Sequence, residues 1–194
     1  QELRSAKLER GTRETRITVA TRLDGTGRAR VATGVKFLDH MLTSLATHSL
    51  IDIDLEGKGD LQHHTVEDVA LALGQALSKA LGNRAGIRRF GHAIVPMDDA
   101  LAIAAIDLVR RPYSSIELQI KRAMVEDAPR EDLEHFFTSL ATALEATVHV
   151  RVMDGRNDHH KYEAAVKAFA LALREAIAPD PRRSKKPPTS KGVM

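Results

Sequence analysis

Apolar and polar positions recur along the chain with two different periods, and each change of period marks an element. Residues 15–23 and 28–33 alternate around Asp24-Gly25-Thr26-Gly27, the pattern of two strands joined as a hairpin. Over 36–47 the apolar spacing becomes helical. Residues 50–55 alternate again before Gly57 and Gly59, and 63–81 form a long helix with one apolar face, stopped at Gly82-Asn83. The same grammar then returns. A short strand is expected near 92–95, strands over 100–108 and 114–120 on either side of Arg111-Pro112, a helix over 131–144, a strand over 147–152 and a helix over 159–177. From Pro179 onward the tail holds four of the seven prolines, cannot continue the helix, and is expected to stay mobile until something orders it.

The second run of elements is a copy of the first. HHTVEDVALALGQALSKAL begins at His63 and HHKYEAAVKAFALALREAI at His159, 96 positions later. Upstream, LDHMLTSLAT from Leu38 matches LEHFFTSLAT from Leu133 at a spacing of 95, so His40 corresponds to His135 across a one-residue indel. A repeat of this length is a duplicated supersecondary unit. The expected class is α+β: two β-β-α-β-α halves, each a small mixed sheet covered on one face by two helices. Residues 1–87 are read as the first half, 88–178 as the second, and 179–194 as a tail contributing to substrate binding.

Composition narrows the chemistry. At 194 residues, 43% hydrophobic but 4% aromatic and without Trp, the chain must build its core from Ala, Leu, Ile and Val, which suits short elements. The absence of cysteine removes disulfides, thiolate metal sites and thiol nucleophiles. No apolar run approaches the roughly 20 residues that span a bilayer. The first residues lack the apolar centre of a signal peptide, so a cytoplasmic protein without membrane partners is expected. A net charge of +3, partly carried by the tail, is too small to suggest nucleic acid and suits a phosphorylated small molecule. No Walker loop or GxGxxG is present, which argues against nucleotide binding.

Residues three and four apart share a helix face, so Glu67 lies beside His63 and His64, and Glu163 beside His159 and His160. Imidazole nitrogen and carboxylate oxygen at that spacing suit a first-row transition metal. Adjacent histidines diverge by about 100° around a helix, so each pair can serve two metals. Six of the nine histidines occupy matching positions in the two copies: His40 and His135, His63 and His159, His64 and His160. Asp39, Asp68 and Asp158 are candidates to hold the far ring nitrogens, and equally candidates for simple helix-end charges. Ligand type leaves zinc, iron and manganese open. Arg89, Arg111, Lys167 and the tail Ser190-Lys191-Gly192 are each ordinary solvated charges taken singly, and together could clamp a phosphate.

The motifs RGTRET at 10–15, FLDHML at 37–42, HHTVED at 63–68, RFGHAIVPMDDAL at 89–101, RPY at 111–113, EHFF at 134–137, NDHHKYEAAVKA at 157–168 and SKG at 190–192 closely resemble, in order, those of the imidazoleglycerol-phosphate dehydratases. The resemblance implies a ribosomal protein S5 domain 2-like fold and a hydro-lyase of histidine biosynthesis. It implies two manganese ions per active site, and trimers that assemble into a 24-subunit particle with sites at subunit contacts. Carried over, the metal ligands are His40, His63, His64, Glu67, His135, His159, His160 and Glu163. His63 and Glu67 group with His160 on one ion, His159 and Glu163 with His64 on the other, and His40 and His135 complete the shells. The same resemblance makes Arg89, Arg111, Lys167, Ser190, Lys191 and Gly192 phosphate contacts and places His48 in a substrate-contacting stretch. His40, His63, Glu67 and His159 also touch substrate in that reading, and Glu14 becomes the acid/base glutamate, with Glu67 and Glu163 taking part in catalysis.

The chemistry demands such a site. The hydrogen removed from the substrate is not acidified by a carbonyl, so an imidazole ring held by metals as imidazolate would have to expel the neighbouring hydroxyl. The alternatives are a dinuclear metallohydrolase using the same ligands to make hydroxide, and a metal-binding structural oligomer.

Overall fold

The computed structural model describes residues 4–183 and 186–191. The first half runs β1 (Ser5–Gly11), β2 (Thr15–Arg22), β3 (Ala29–Ala32), α1 (Lys36–Ser49), β4 (Asp52–Gly59) and α2 (Gln62–Leu81). The second runs β5 (Phe90–Met97), β6 (Ala100–Asp107), β7 (Tyr113–Glu117), β8 (Met124–Val125), β9 (Ala128–Pro129), α3 (Arg130–Leu144), β10 (Thr147–Asp154) and α4 (Asp158–Ile177). Two four-stranded mixed sheets share one topology, β1-β2-β4-β3 and β5-β6-β10-β7. The four helices lie between them: α2 on the first sheet, α4 on the second, with α2 packed on α3 and α1 on α4.

The period-2 pattern supplies the inner faces. Ile17, Val19, Ile53 and Leu55 point inward from the first sheet, and Ala104, Ile106, Val148 and Val150 from the second, all buried. Each large aliphatic side chain so buried contributes about 1.5–3 kcal/mol. Small residues let the helices approach closely. A Cβ on Gly74 of α2 would stand 2.7 Å from Ala143 Cβ and 2.8 Å from the Leu140 carbonyl of α3, and one on Gly91 of β5 would meet the Ala172 carbonyl of α4 at 1.9 Å. The two 20-residue helices, α2 and α4, run as the apolar period over 63–81 and 159–177 indicates.

One expectation needs correction. Residues 15–23 and 28–33 do not form a hairpin. Both edges of β2 are taken, by antiparallel β1 and β4, and β3 pairs parallel with β4, Val31 opposite Leu55. The connecting loop is held by Asp52, whose Oδ1 accepts the N–H groups of Thr26 at 2.9 Å and Arg28 at 3.0 Å. The unforeseen partner β1, counterpart of β5, is mostly polar because its outer face is exposed. The tail after α4 turns back onto the segment leading into β5. Its described part is anchored: Gly86 N–H donates to the Lys186 carbonyl at 3.1 Å, Asp180 N–H to the Gly86 carbonyl at 2.8 Å, and Arg89 Nη1 to the Pro188 carbonyl at 2.9 Å. Among the described residues no helix is long and apolar enough to cross a membrane.

Candidate metal centre

The packing of helices across the duplication gathers two matching sets of side chains, of which, among the described residues, only that of His40, His159 and Glu163 brings three donor atoms within 4.8 Å of one another. His40 of α1 meets His159 and Glu163 of α4, with one donor atom from each inside a 4.8 Å cluster. His159 Nε2 is 3.1 Å and His40 Nε2 3.9 Å from Glu163 Oε2. In the mirrored place His135 of α3 meets His63 and Glu67 of α2. Its Nε2 lies 3.2 Å from Glu67 Oε1, and its ring stacks on His63 at 5.7 Å between centroids.

All four paired histidines have Nδ1 against a carboxylate: His63 against Asp132 at 2.7 Å, His64 against Asp60 at 2.8 Å, His159 against Glu126 at 3.1 Å and His160 against Asp99 at 2.6 Å. An ionised carboxylate only accepts, so Nδ1 carries a proton; Nε2 is then left to a metal where it faces no second carboxylate, whereas His159 Nε2 also stands 3.1 Å from Glu163 Oε2. The charges agree. The bond to Asp132 raises the His63 pKa above its ordinary value, and the bond to Asp60 raises that of His64. Hydrogen bonds from His160 and the backbone N–H groups of Asn157 and Arg156 hold the Asp99 carboxyl far below the usual range. Burial would raise Glu163, but the hydrogen bond and charge of Lys167, with His159 and His40, bring it below its usual value. Two imidazoles and a carboxylate, with no sulfur donor, fit a borderline or hard divalent ion.

His64 and His160 join neither triad within the chain. His64 Nδ1 is also 3.6 Å from Glu14 Oε2, and His160 Nε2 is 3.6 Å from Asp98 Oδ2. Glu14 sits at the β1–β2 turn, its carbonyl accepting the Asp60 N–H at 2.9 Å, so its backbone is fixed while its side chain reaches the histidine. His48, in the last turn of α1, has its pKa lowered by burial and then by the charge of Lys167, which places it beside the Glu163 triad. Lys167 Nζ is 2.9 Å from Glu163 Oε1.

Arg89 grips Asp107 with both arms of its fork, at 2.7 and 3.0 Å, while holding the tail at Pro188. Ser190 and Lys191 follow as exposed residues, and Gly192 lies outside the described residues. Arg111 is exposed at the start of β7, where its carbonyl accepts the Thr147 hydroxyl at 3.1 Å.

Of the two readings open for Asp68, Asp39 and Asp158, the structure bears out the one that places them at helix ends rather than on histidines. Asp68 binds Arg10 and the Thr15 hydroxyl, Asp39 binds the Thr33 N–H and hydroxyl, and Asp158 binds Lys161 with the N–H groups of Lys121 and Arg122. Each secures a helix start or a loop. Of the true partners, Asp60 stands one turn before the histidine it serves, His64, a spacing open to reading, whereas Asp132 reaches His63 from α3 across the packed helices. Asp99 lies at the β5–β6 turn, 61 positions before His160, where no local spacing points to the histidine. Glu126 comes from the β8–β9 hairpin, which carries no local signal.

A family model described as imidazoleglycerol-phosphate dehydratase matches residues 33–173. The chain belongs to the imidazoleglycerol-phosphate dehydratase family. The relative from Methanothermobacter thermautotrophicus is 51% identical over 90% of this chain and 91% of its own. One from Phytophthora nicotianae is 50% identical over 99% of this chain, which spans only 43% of that longer protein. The crystal structure of the dehydratase from Pyrococcus furiosus aligns with a TM-score of 0.83 at 36% identity, covering 96% of this chain and 100% of the other. The chain is therefore a lyase of histidine biosynthesis acting on a small molecule.

Proposed function

We propose that the chain dehydrates imidazoleglycerol phosphate to imidazole-acetol phosphate at a paired manganese centre shared between copies of itself. The observation that carries this reading is the convergence of His40, His159 and Glu163, repeated more openly by His63, Glu67 and His135, with Nδ1 of His63 and His159 tied to carboxylates. His63, Glu67 and His135 would hold one ion together with His160 of the partner subunit. His40, His159 and Glu163 would hold the other with His64 of the partner subunit. His64 and His160 have Nδ1 held in the same way yet meet no triad of their own chain, as a ligand lent to a neighbour requires.

When bound, the two ions supply the Lewis acidity that lets the substrate ring carry charge as imidazolate and expel the adjoining hydroxyl. Glu14, fixed at its turn and 3.6 Å from His64, exchanges the proton at the reacting carbon. Glu67 and Glu163 orient the centre, and His48 lines the substrate stretch beside Lys167. Arg89, Arg111, Lys167, Ser190, Lys191 and Gly192 receive the phosphate, with the tail held against Arg89. Shared ligands tie metal binding to association, in line with trimers and a 24-subunit particle working in the cytoplasm.

The test is turnover of imidazoleglycerol phosphate by chelated protein before and after manganese is restored, with elemental analysis. Activity should vanish and return with close to two ions per chain. Full turnover by metal-free protein overturns the reading.

A further inference from the structure

The two triads have the same ligand types but differ in closure and in surroundings: among the described residues only the donors of His40, His159 and Glu163 already lie within 4.8 Å of one another, and the duplication shows where the surroundings differ. Three positions before His135 stands Asp132; three before His40 stands Phe37. Asp132 is 3% exposed and bonds His63 Nδ1 at 2.7 Å. Phe37 offers His159 only a ring face, 5.0 Å between centroids, so His159 turns instead to Glu126, whose side chain is 55% exposed, at 3.1 Å. Four positions after Glu163 stands Lys167, bonded to it at 2.9 Å; four after Glu67 stands Leu71.

Both differences act in one direction. A buried carboxylate on Nδ1–H is poorly screened and strengthens Nε2 as a donor, whereas an exposed carboxylate at longer range does so less. The ammonium of Lys167 occupies a lone pair of Glu163 and repels a dication, and nothing comparable faces Glu67 among the described residues.

Given the paired metal centre proposed above, we infer that its two positions are unequal: the His63–Glu67–His135 triad fills first and tightly, the His40–His159–Glu163 triad later and weakly. Asp132 is the positioning residue that sets the difference.

Chelated full-length protein titrated with manganese alone, followed by calorimetry and by the electron paramagnetic resonance signal of the free ion, should show two steps of one ion per chain, roughly tenfold or more apart in Kd. Asp132→Asn should weaken the tighter step about 10- to 100-fold and leave the other in place, Asp132→Glu should recover part of it, and Glu126→Gln should move only the weaker step. A single step of two equivalent ions overturns the inference while sparing the metal centre, and the wild-type titration decides this even where a variant fails to fold. Equal shifts of both steps in Asp132→Asn overturn the role of Asp132. No binding at all removes the metal centre itself.

Discussion

His135 Nε2 lies 3.2 Å from Glu67 Oε1, one residue from each half of the duplicated chain. His40 and Glu163 repeat the arrangement in the opposite sense. Each triad thus crosses the duplication, and the α2–α3 and α1–α4 contacts that hold the halves together also set the donor geometry.

Gly74 governs one of those contacts. Alanine in a helix ordinarily gains about 1 kcal/mol over glycine. Here the new methyl would press on the Leu140 carbonyl at 2.8 Å, and such overpacking costs about 1–3 kcal/mol. Gly74→Ala should therefore lower the thermal midpoint and weaken manganese binding. An unchanged or raised midpoint would mean that the helices separate without cost.

Glu14→Gln retains shape and hydrogen bonding but cannot exchange a proton. Turnover should fall on the order of 100- to 10,000-fold with metal content and particle size unchanged. Steady-state kinetics near wild type would remove Glu14 from the mechanism.

Shared sites predict complementation between chains. His63→Ala loses a triad ligand and His160→Ala the ligand lent to a neighbour, so each alone should be inactive. Particles co-assembled from both should regain part of the activity, because some sites then draw every ligand from an intact position. Mixtures as inactive as their components would confine the ligands to one chain.

Truncation before Ser190 leaves the Arg89–Pro188 anchor in place and removes the exposed residues beyond it. Substrate KM should rise while metal content holds, and an unchanged KM would leave the tail without a role in phosphate binding.

Asp52 gives a pH signature. Burial would raise its pKa, but the N–H groups of Thr26 and Arg28 and the charges of Arg28 and Arg22 bring it below the ordinary carboxylate value. A depressed folded value contributes stability that is complete above the unfolded value of about 3.9 and is lost as pH falls through the folded one. The gap in thermal midpoint between wild type and Asp52→Asn should stay constant from about pH 7 to 5 and close in stronger acid. A gap independent of pH would show that the carboxylate charge contributes nothing.

The sequence by itself determined the duplication, the four helices, most strands and the list of histidines and glutamates, because period and repeat are local properties that survive without a fold. It also carried the family, through motifs spread over nearly the whole chain. Tertiary structure decided the rest. β3 pairs with β4 rather than β2 because β1 had already taken an edge, a choice of partner that no local pattern records. The triads join residues from opposite halves because α2 meets α3, and α1 meets α4, only after both sheets close over the helices. Asp132 and Glu126 reach their histidines through that same packing. The electrical difference between two nearly identical sequence motifs is therefore a property of neighbours brought in from far along the chain.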